Sequence, residues 1–106
     1  MDARSAYERK DHLVFLDVRE QFEWDAGHIE DSLHIPLAEI PVRYAELATD
    51  TSIVAVCHVG QRSELAAQFL RERGFEVDNL EGGMAAWASE QLPYVSAAGG
   101  PGFIVG

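Results

Sequence analysis

The alternation of short apolar runs with amphipathic segments is the feature that most constrains how this chain can fold. Residues 13–16 and 53–56 are continuous apolar runs, which is typical of strands buried on both faces of a sheet. Residues 63–73 instead carry apolar side chains at helical spacing, and Gly74 is a stop signal for that helix. Such alternation predicts an α/β domain with a mostly parallel sheet.

Weaker segments complete the same alternation. Residues 32–35 and 75–80 have the pattern of strands. Residues 20–26, 37–47 and 84–89 have the pattern of short helices. The 106 residues are enough for one domain with its own core. We therefore predict a single domain over residues 1–95, followed by a flexible tail over residues 96–106, where glycines and a proline cluster.

The net charge and the cysteine content limit the possible binding partners and the cellular compartment. The net charge is −10 and the eight Lys and Arg residues are scattered, which argues against nucleic acid as a partner. The apolar runs are far too short to cross a membrane, and the N-terminus lacks the apolar stretch of a signal peptide. A single cysteine cannot form an intramolecular disulfide. We expect a cytoplasmic protein without a cofactor.

That single cysteine is the most informative residue. Cys57 directly follows the apolar run 53–56, and a loop containing Gly60 separates it from the predicted helix. Consecutive backbone N–H groups in such a loop form a nest that binds anions, and the start of the helix adds partial positive charge. These donors stabilise a thiolate. Gly60 allows a turn that a side chain would resist, and Arg62 adds a fixed cation.

Three other interpretations of Cys57 compete with that of a nucleophile. A lone cysteine after an apolar strand is often a small buried hydrophobic residue. A metal site is disfavoured, because there is no second cysteine and the four histidines are not clustered. A thiol protease would need a Cys–His pair that one sequence does not define. The glycine loop in front of a helix favours a chemical role.

Four segments of the chain resemble the signatures of the rhodanese-like family. They are Leu-Asp-Val-Arg-Glu at residues 16–20, Gly-His-Ile at 27–29 with His-Ile-Pro at 34–36, Cys-His-Val-Gly-Gln-Arg-Ser at 57–63, and Leu-Glu-Gly-Gly-Met-Ala-Ala-Trp at 80–87. They occur in the family's order and spacing, from about residue 13 to residue 88. Each segment alone is only suggestive, whereas the four together are highly specific.

The resemblance implies a five-stranded, mostly parallel sheet with helices on both faces. It also implies a double-displacement reaction, in which the Cys57 thiolate takes sulfur from a donor and passes it to an acceptor. The sulfur would lie among the backbone N–H groups of the next six residues, His58, Val59, Gly60, Gln61, Arg62 and Ser63. The residues that look like the family's supports for this loop are Asp17, Arg19, Gly82 and Gly83.

The implied donor is thiosulfate or a persulfide, and the implied acceptor is cyanide, a thiol or a protein. Cell-cycle phosphatases of the same superfamily carry one residue more between the cysteine and the arginine, which makes a wider loop for phosphate. Four residues separate Cys57 from Arg62 here, so the loop favours sulfur transfer over phosphate-ester hydrolysis. The alternative in a different class is a protein-specific sulfur carrier or interaction domain.

Two features of the loop bear on the identity of the donor. Arg62 is equally well explained as an anion contact and as a structural salt bridge at the start of the helix. The loop also has no lysine at His58 or Val59, where two-domain thiosulfate enzymes carry basic residues. Together with the acidic net charge, this predicts weak affinity for thiosulfate.

Overall fold

The two apolar runs form neighbouring strands at the centre of a sheet. In the computed structural model, which describes residues 1–105, the strands are β1 (Val14–Asp17), β2 (Leu33–His34), β3 (Ser52–Val56) and β4 (Glu76–Asn79). Their order across the sheet is β2-β1-β3-β4. Each neighbouring pair is parallel, with Phe15 of β1 opposite Val54 of β3. The predicted α/β class is confirmed.

The number of strands differs from the prediction. Within residues 1–105 the sheet has four strands, so the prediction of five is wrong. The fifth strand was implied by the family resemblance and by no apolar run of its own. The remaining extended contact is a single antiparallel bridge between His28 and Val95. It cannot grow into a ladder, because a helix ends at Ala26 and a turn closed by Ser32 N–H and Ile29 O follows at once.

Helices connect and cover the strands. The α-helices are α1 (Ala3–Glu8), α2 (Gln21–Ala26), α3 (Ile40–Arg43), α4 (Gln61–Arg71) and α5 (Gly83–Ser89), and 3₁₀ turns occupy Lys10–His12, Leu37–Glu39 and Tyr44–Glu46. The single helix predicted over residues 37–47 is therefore interrupted. Pro41 lacks the N–H that would bond the Leu37 carbonyl, so no continuous α-helix forms there. No helix in the described part of the chain has the length and apolar character needed to cross a membrane.

Helices pack on both faces of the sheet, as predicted. Alternate residues of β3 point to opposite faces. Ile53 and Ala55 share a buried apolar cluster with α3 and α4. Val54 and Val56 share a second cluster with α1 and α5. β3 is thus buried on both faces of the sheet, and this burial fixes the position of Cys57, the residue that follows it.

The C-terminal residues of the described chain lie against α2. The Ala97 N–H donates to the Asp25 carbonyl and the Phe103 N–H donates to the Ala26 carbonyl, both at 3.0 Å. The tail predicted over residues 96–106 ends in Gly106, which lies outside the described residues. Residues 97 and 103 therefore tie this segment to the end of the helix that precedes Gly27.

Candidate active site

Cys57 directly follows the carboxyl end of β3, one of the two inner strands of the sheet. Because the strands are parallel, the ends of β1 and β3 meet at the same edge, with Asp17 in register with Val56. The Val18 N–H donates to the Val56 carbonyl at 2.9 Å and extends this pairing by one residue. Cys57 is 1 % exposed. In parallel α/β sheets this edge is where ligands bind.

The loop of residues 57–63, which we call the cradle, curls around the sulfur of Cys57. The Gly60 N–H donates to Sγ at 3.0 Å, and the Ser63 hydroxyl lies 3.2 Å from Sγ. Gly60 has a φ of 106°, in the left-handed region that favours glycine. α4 begins at the next residue, so the N–H groups of Gln61, Arg62 and Ser63 in its first turn belong to the cradle. The cradle is a set of donors suited to an anion.

These contacts lower the pKa of the Cys57 thiol. Burial alone would raise the pKa, because it removes water from the thiolate. The Ser63 hydroxyl and the backbone N–H groups of Ser63, Gly60 and Val59 outweigh burial, since each stabilises the charged form. The thiolate, which is the nucleophilic form of cysteine, is therefore populated at a lower pH than in the unfolded chain.

Replacing Ser63 with alanine should raise the pKa of Cys57, because one donor to the thiolate is lost. The rate of alkylation by iodoacetamide follows the thiolate fraction, so its midpoint against pH reports the pKa. We expect the native midpoint to lie below that of the protein in urea and to move upward in Ser63→Ala. Ser52→Ala, which removes a hydroxyl bonded to Glu76, is the control. An unmoved midpoint in Ser63→Ala would contradict the role of the hydroxyl.

The start of α5 binds two carbonyl groups of the cradle. The Met84 N–H donates to the Cys57 carbonyl at 2.8 Å, and the Ala85 N–H donates to the His58 carbonyl at 3.0 Å. A Cβ atom on Gly83 would collide with both carbonyl oxygens, so this close approach requires glycine. With these carbonyls bound to α5, the N–H groups of the cradle remain available to the sulfur.

Asn79, at the end of β4, also holds the cradle, and the sequence analysis did not single it out. Its Nδ2 donates to the Gly60 carbonyl at 2.9 Å, and its Oδ1 accepts from the Ser63 hydroxyl at 2.5 Å. Ser63 has one hydroxyl proton, so it donates to one of its two acceptors at a time, and it stabilises the Cys57 thiolate when it donates to the sulfur instead of to Asn79. A polar residue at the end of a predicted strand was a usable signal, because the ends of parallel strands share an edge.

Asp17 and Arg19 form a buried ion pair at the end of β1. Arg19 Nε and Nη2 donate to the two Asp17 oxygens at 2.9 and 2.8 Å, and both side chains are 0 % exposed. Nη2 also donates to the Gly27 carbonyl at 2.7 Å, and the Arg19 carbonyl lies 2.7 Å from His34 Nε2. Arg19 Nη1 is buried and has no hydrogen-bond partner within residues 1–105. The pair joins the end of β1 to the end of α2.

The Arg62 side chain is bound by Glu23 of α2, a second residue that the sequence analysis did not single out. Arg62 Nη1 and Nη2 donate to the two Glu23 oxygens at 2.7 and 2.8 Å. This contact lowers the pKa of Glu23, although burial opposes the shift. Of the two interpretations of Arg62, the structure shows the salt bridge. Charge alone could not have identified Glu23, because the chain has 18 acidic residues.

The other predicted residues of the loop and its support have different environments. His58 is partly exposed, Val59 is 50 % exposed, and Gln61 is exposed as the first residue of α4. Gly82 has a φ of 74° and directly precedes α5. In the part of the chain that the structure describes, no three His, Cys, Asp or Glu residues are grouped so that they could hold a metal ion.

A thiolate surrounded by backbone donors has a limited set of chemical uses. It can attack an electrophilic atom, and the donors can then stabilise the anion that forms. The cradle donors are mainly N–H groups of the chain itself, so they are in place before any ligand arrives. The site therefore suits nucleophilic transfer of a small group.

Comparisons with known proteins point to one family. A family model described as Rhodanese-like domain matches residues 2–90. A sulfurtransferase from Allochromatium vinosum is 38% identical over 82% of this chain and 82% of its own. The thiosulfate sulfurtransferase GlpE from Pseudoalteromonas translucida is 38% identical over 74% of this chain and 75% of its own. The crystal structure of a rhodanese-related protein from Thermoplasma volcanium has a TM-score of 0.88 and 35% identity, and the match covers 90% of this chain and 95% of that one.

Proposed function

Because the chain belongs to the rhodanese-like domain family, we propose that it is a sulfurtransferase that carries a transferable sulfur on Cys57. The observation that carries the proposal is the contact of Cys57 Sγ with the Gly60 N–H and the Ser63 hydroxyl. Although burial opposes them, these donors lower the pKa of the thiol and so supply the nucleophile.

The proposed reaction has two half-reactions. In the first, the Cys57 thiolate attacks the outer sulfur of thiosulfate or a persulfide, and the bond between that sulfur and the rest of the donor breaks. The rest of the donor leaves with the electron pair, as sulfite or as a thiolate. In the second, cyanide or a thiol attacks the outer sulfur of the Cys57 persulfide and restores the thiolate. The sulfur moves without net oxidation, so the reaction needs no external oxidant.

The cradle would hold the persulfide between the two half-reactions. The backbone N–H groups of residues 58–63 would stabilise the negative outer sulfur, as an oxyanion hole stabilises developing charge. Asp17 and Arg19 would act as positioning residues that keep the end of β1 in place. Gly83 would let α5 approach the loop closely enough to bind its carbonyls, and Gly82 would allow the left-handed backbone turn that starts α5.

Hydrolysis of phosphate esters is the less favoured use of this site. Four residues between Cys57 and Arg62 leave a loop suited to a single sulfur atom. Phosphate is usually bound by arginine donors in a bidentate contact. Both terminal nitrogens of Arg62 already bind Glu23, which competes with such a contact.

A protein acceptor would make the domain a specific sulfur carrier, which is the second candidate function. Val59 lies two residues after Cys57 and is 50 % exposed, so it offers a partner an apolar contact beside the sulfur. The net charge of −10 makes nucleic acid an unsuitable partner. We propose a cytoplasmic setting, in which a single reduced thiol is stable.

Mass spectrometry of the intact protein tests the proposed function. Incubation with thiosulfate or with a thiol persulfide should add one sulfur atom, which cyanide should then remove as thiocyanate. Protein alkylated beforehand is the control, because the chain has one cysteine and alkylation is specific to Cys57. No sulfur adduct with either donor would overturn the proposal, and hydrolysis of a phosphate ester would favour the phosphatase alternative.

A further inference from the structure

The ion pair between Glu23 and Arg62 lies beside the cradle and is held in a fixed geometry. Both oxygens of Glu23 accept hydrogen bonds from Arg62, and the Glu23 side chain is only 9% exposed. Glu23 is itself fixed, because its Oε1 accepts the Glu20 N–H at 3.0 Å. Arg62 is thus engaged in a bidentate contact with a buried carboxylate.

Arg62 belongs to the cradle that surrounds the sulfur and lies five residues after Cys57. Glu23 raises the pKa of Arg62 most, burial lowers it, and the charges of Cys57 and Asp17 raise it further. Arg19, the other arginine at this edge of the sheet, is bound to Asp17 in a fully buried pair. Arg62 and Arg19 are therefore each already paired with a carboxylate.

The two classes of sulfur donor differ in charge. Thiosulfate is a dianion, and its sulfonate group is the kind of ligand that arginine binds with two parallel hydrogen bonds. A thiol persulfide, R–S–SH, presents its outer sulfur at an end that is neutral or singly charged. On a chain with a net charge of −10, a dianion needs a local cation to overcome repulsion. The Arg62 guanidinium could be that cation, but it is already bound to Glu23.

We propose that Glu23 is a specificity-determining residue, which holds Arg62 away from sulfonate donors and leaves a site that takes its sulfur from the persulfide of a small thiol. The inference rests on the proposed sulfurtransferase function. In the loading step, the Cys57 thiolate forms a bond to the outer sulfur of R–S–SH while the S–S bond of the donor breaks. R–S⁻ leaves with the electron pair, and the proton stays on the transferred sulfur, so atoms and charge balance.

Replacing Glu23 with glutamine tests this assignment. Glutamine keeps an oxygen for the Glu20 N–H but has no charge with which to hold Arg62. We compare kcat/KM for loading from thiosulfate with kcat/KM for loading from cysteine persulfide. The ratio of the first to the second should rise about tenfold, which corresponds to the free energy of one charge-assisted hydrogen bond. Asp25→Asn removes the same charge from an exposed position of α2 and should leave this ratio as in the wild type.

The double variant Glu23→Gln with Arg62→Gln shows whether the gain depends on the cation. The ratio should fall back to the wild-type value, because the guanidinium is gone. Partial unfolding lowers both loading rates alike, so it does not imitate a change in the ratio. An unchanged ratio in Glu23→Gln, or an equal rise in the double variant or in Asp25→Asn, would overturn the role of Glu23. Loading from neither donor by the wild type would instead overturn the sulfurtransferase function itself.

Discussion

A protein in which serine replaces Cys57 should gain no detectable sulfur from any donor, so that any residual loading is slower by on the order of a thousandfold or more. Serine has the same shape with a slightly smaller atom, and its oxygen faces the Gly60 N–H and the Ser63 hydroxyl that contact the sulfur in the native chain. Its hydroxyl stays protonated at neutral pH, however, and oxygen cannot form the S–S bond that a persulfide requires. No other thiol can substitute, because Cys57 is the only cysteine of the chain.

The readout is the mass of the intact protein after incubation with thiosulfate and, separately, with cysteine persulfide. Urea unfolding of Cys57→Ser serves as the control for the fold, and its midpoint should stay close to that of the wild type. A serine variant that folds normally and still gains one sulfur atom would place the transferable sulfur on another residue.

Replacing Arg19 with methionine should lower the free energy of unfolding by about 3–5 kcal/mol, because Asp17 would become a buried charge without a partner. Both side chains are completely buried, and Arg19 supplies three hydrogen bonds to the Asp17 carboxylate with its side chain alone. A loss of this size is a large part of the stability of a small domain. Urea unfolding followed by tryptophan fluorescence measures it.

Two further variants show whether the loss arises from the unpaired charge. Arg43→Met removes an arginine that forms ion pairs with Glu39 and Glu46 on the surface, and it should change the stability little. Asp17→Asn combined with Arg19→Met should recover part of the loss, because no buried charge remains. Equal effects of Arg19→Met and Arg43→Met would contradict this account of the buried pair.

The fold class could be predicted because continuous apolar runs such as residues 53–56 have few alternatives to buried parallel strands. The four segments with strand character also correspond to the four strands observed, and the wrong number of five came from the family resemblance alone. α1 was also missed. Its six residues are too few for a clear helical period, and Ala3 and Ala6 are buried by tertiary contacts with the core.

The cradle itself could be anticipated because its donors follow Cys57 directly in the chain, so local order determines them. The residues of other helices and strands that bind the cradle could not be matched to their partners from the sequence. Asn79 is 19 residues from Gly60, and Glu23 is 39 residues from Arg62. Long-range pairing depends on how the helices pack, and a single sequence does not say which carboxylate meets a given arginine.

The contact between α5 and the cradle also limits how this site can change over evolution. The Met84 and Ala85 N–H groups bind the carbonyls of Cys57 and His58, and Gly83 leaves no space between the two segments. The first two residues of the loop therefore cannot move without breaking these bonds. A change in loop length that leaves α5 in place has to be accommodated between Val59 and Arg62, whereas one that moves Cys57 or His58 requires a compensating change in α5.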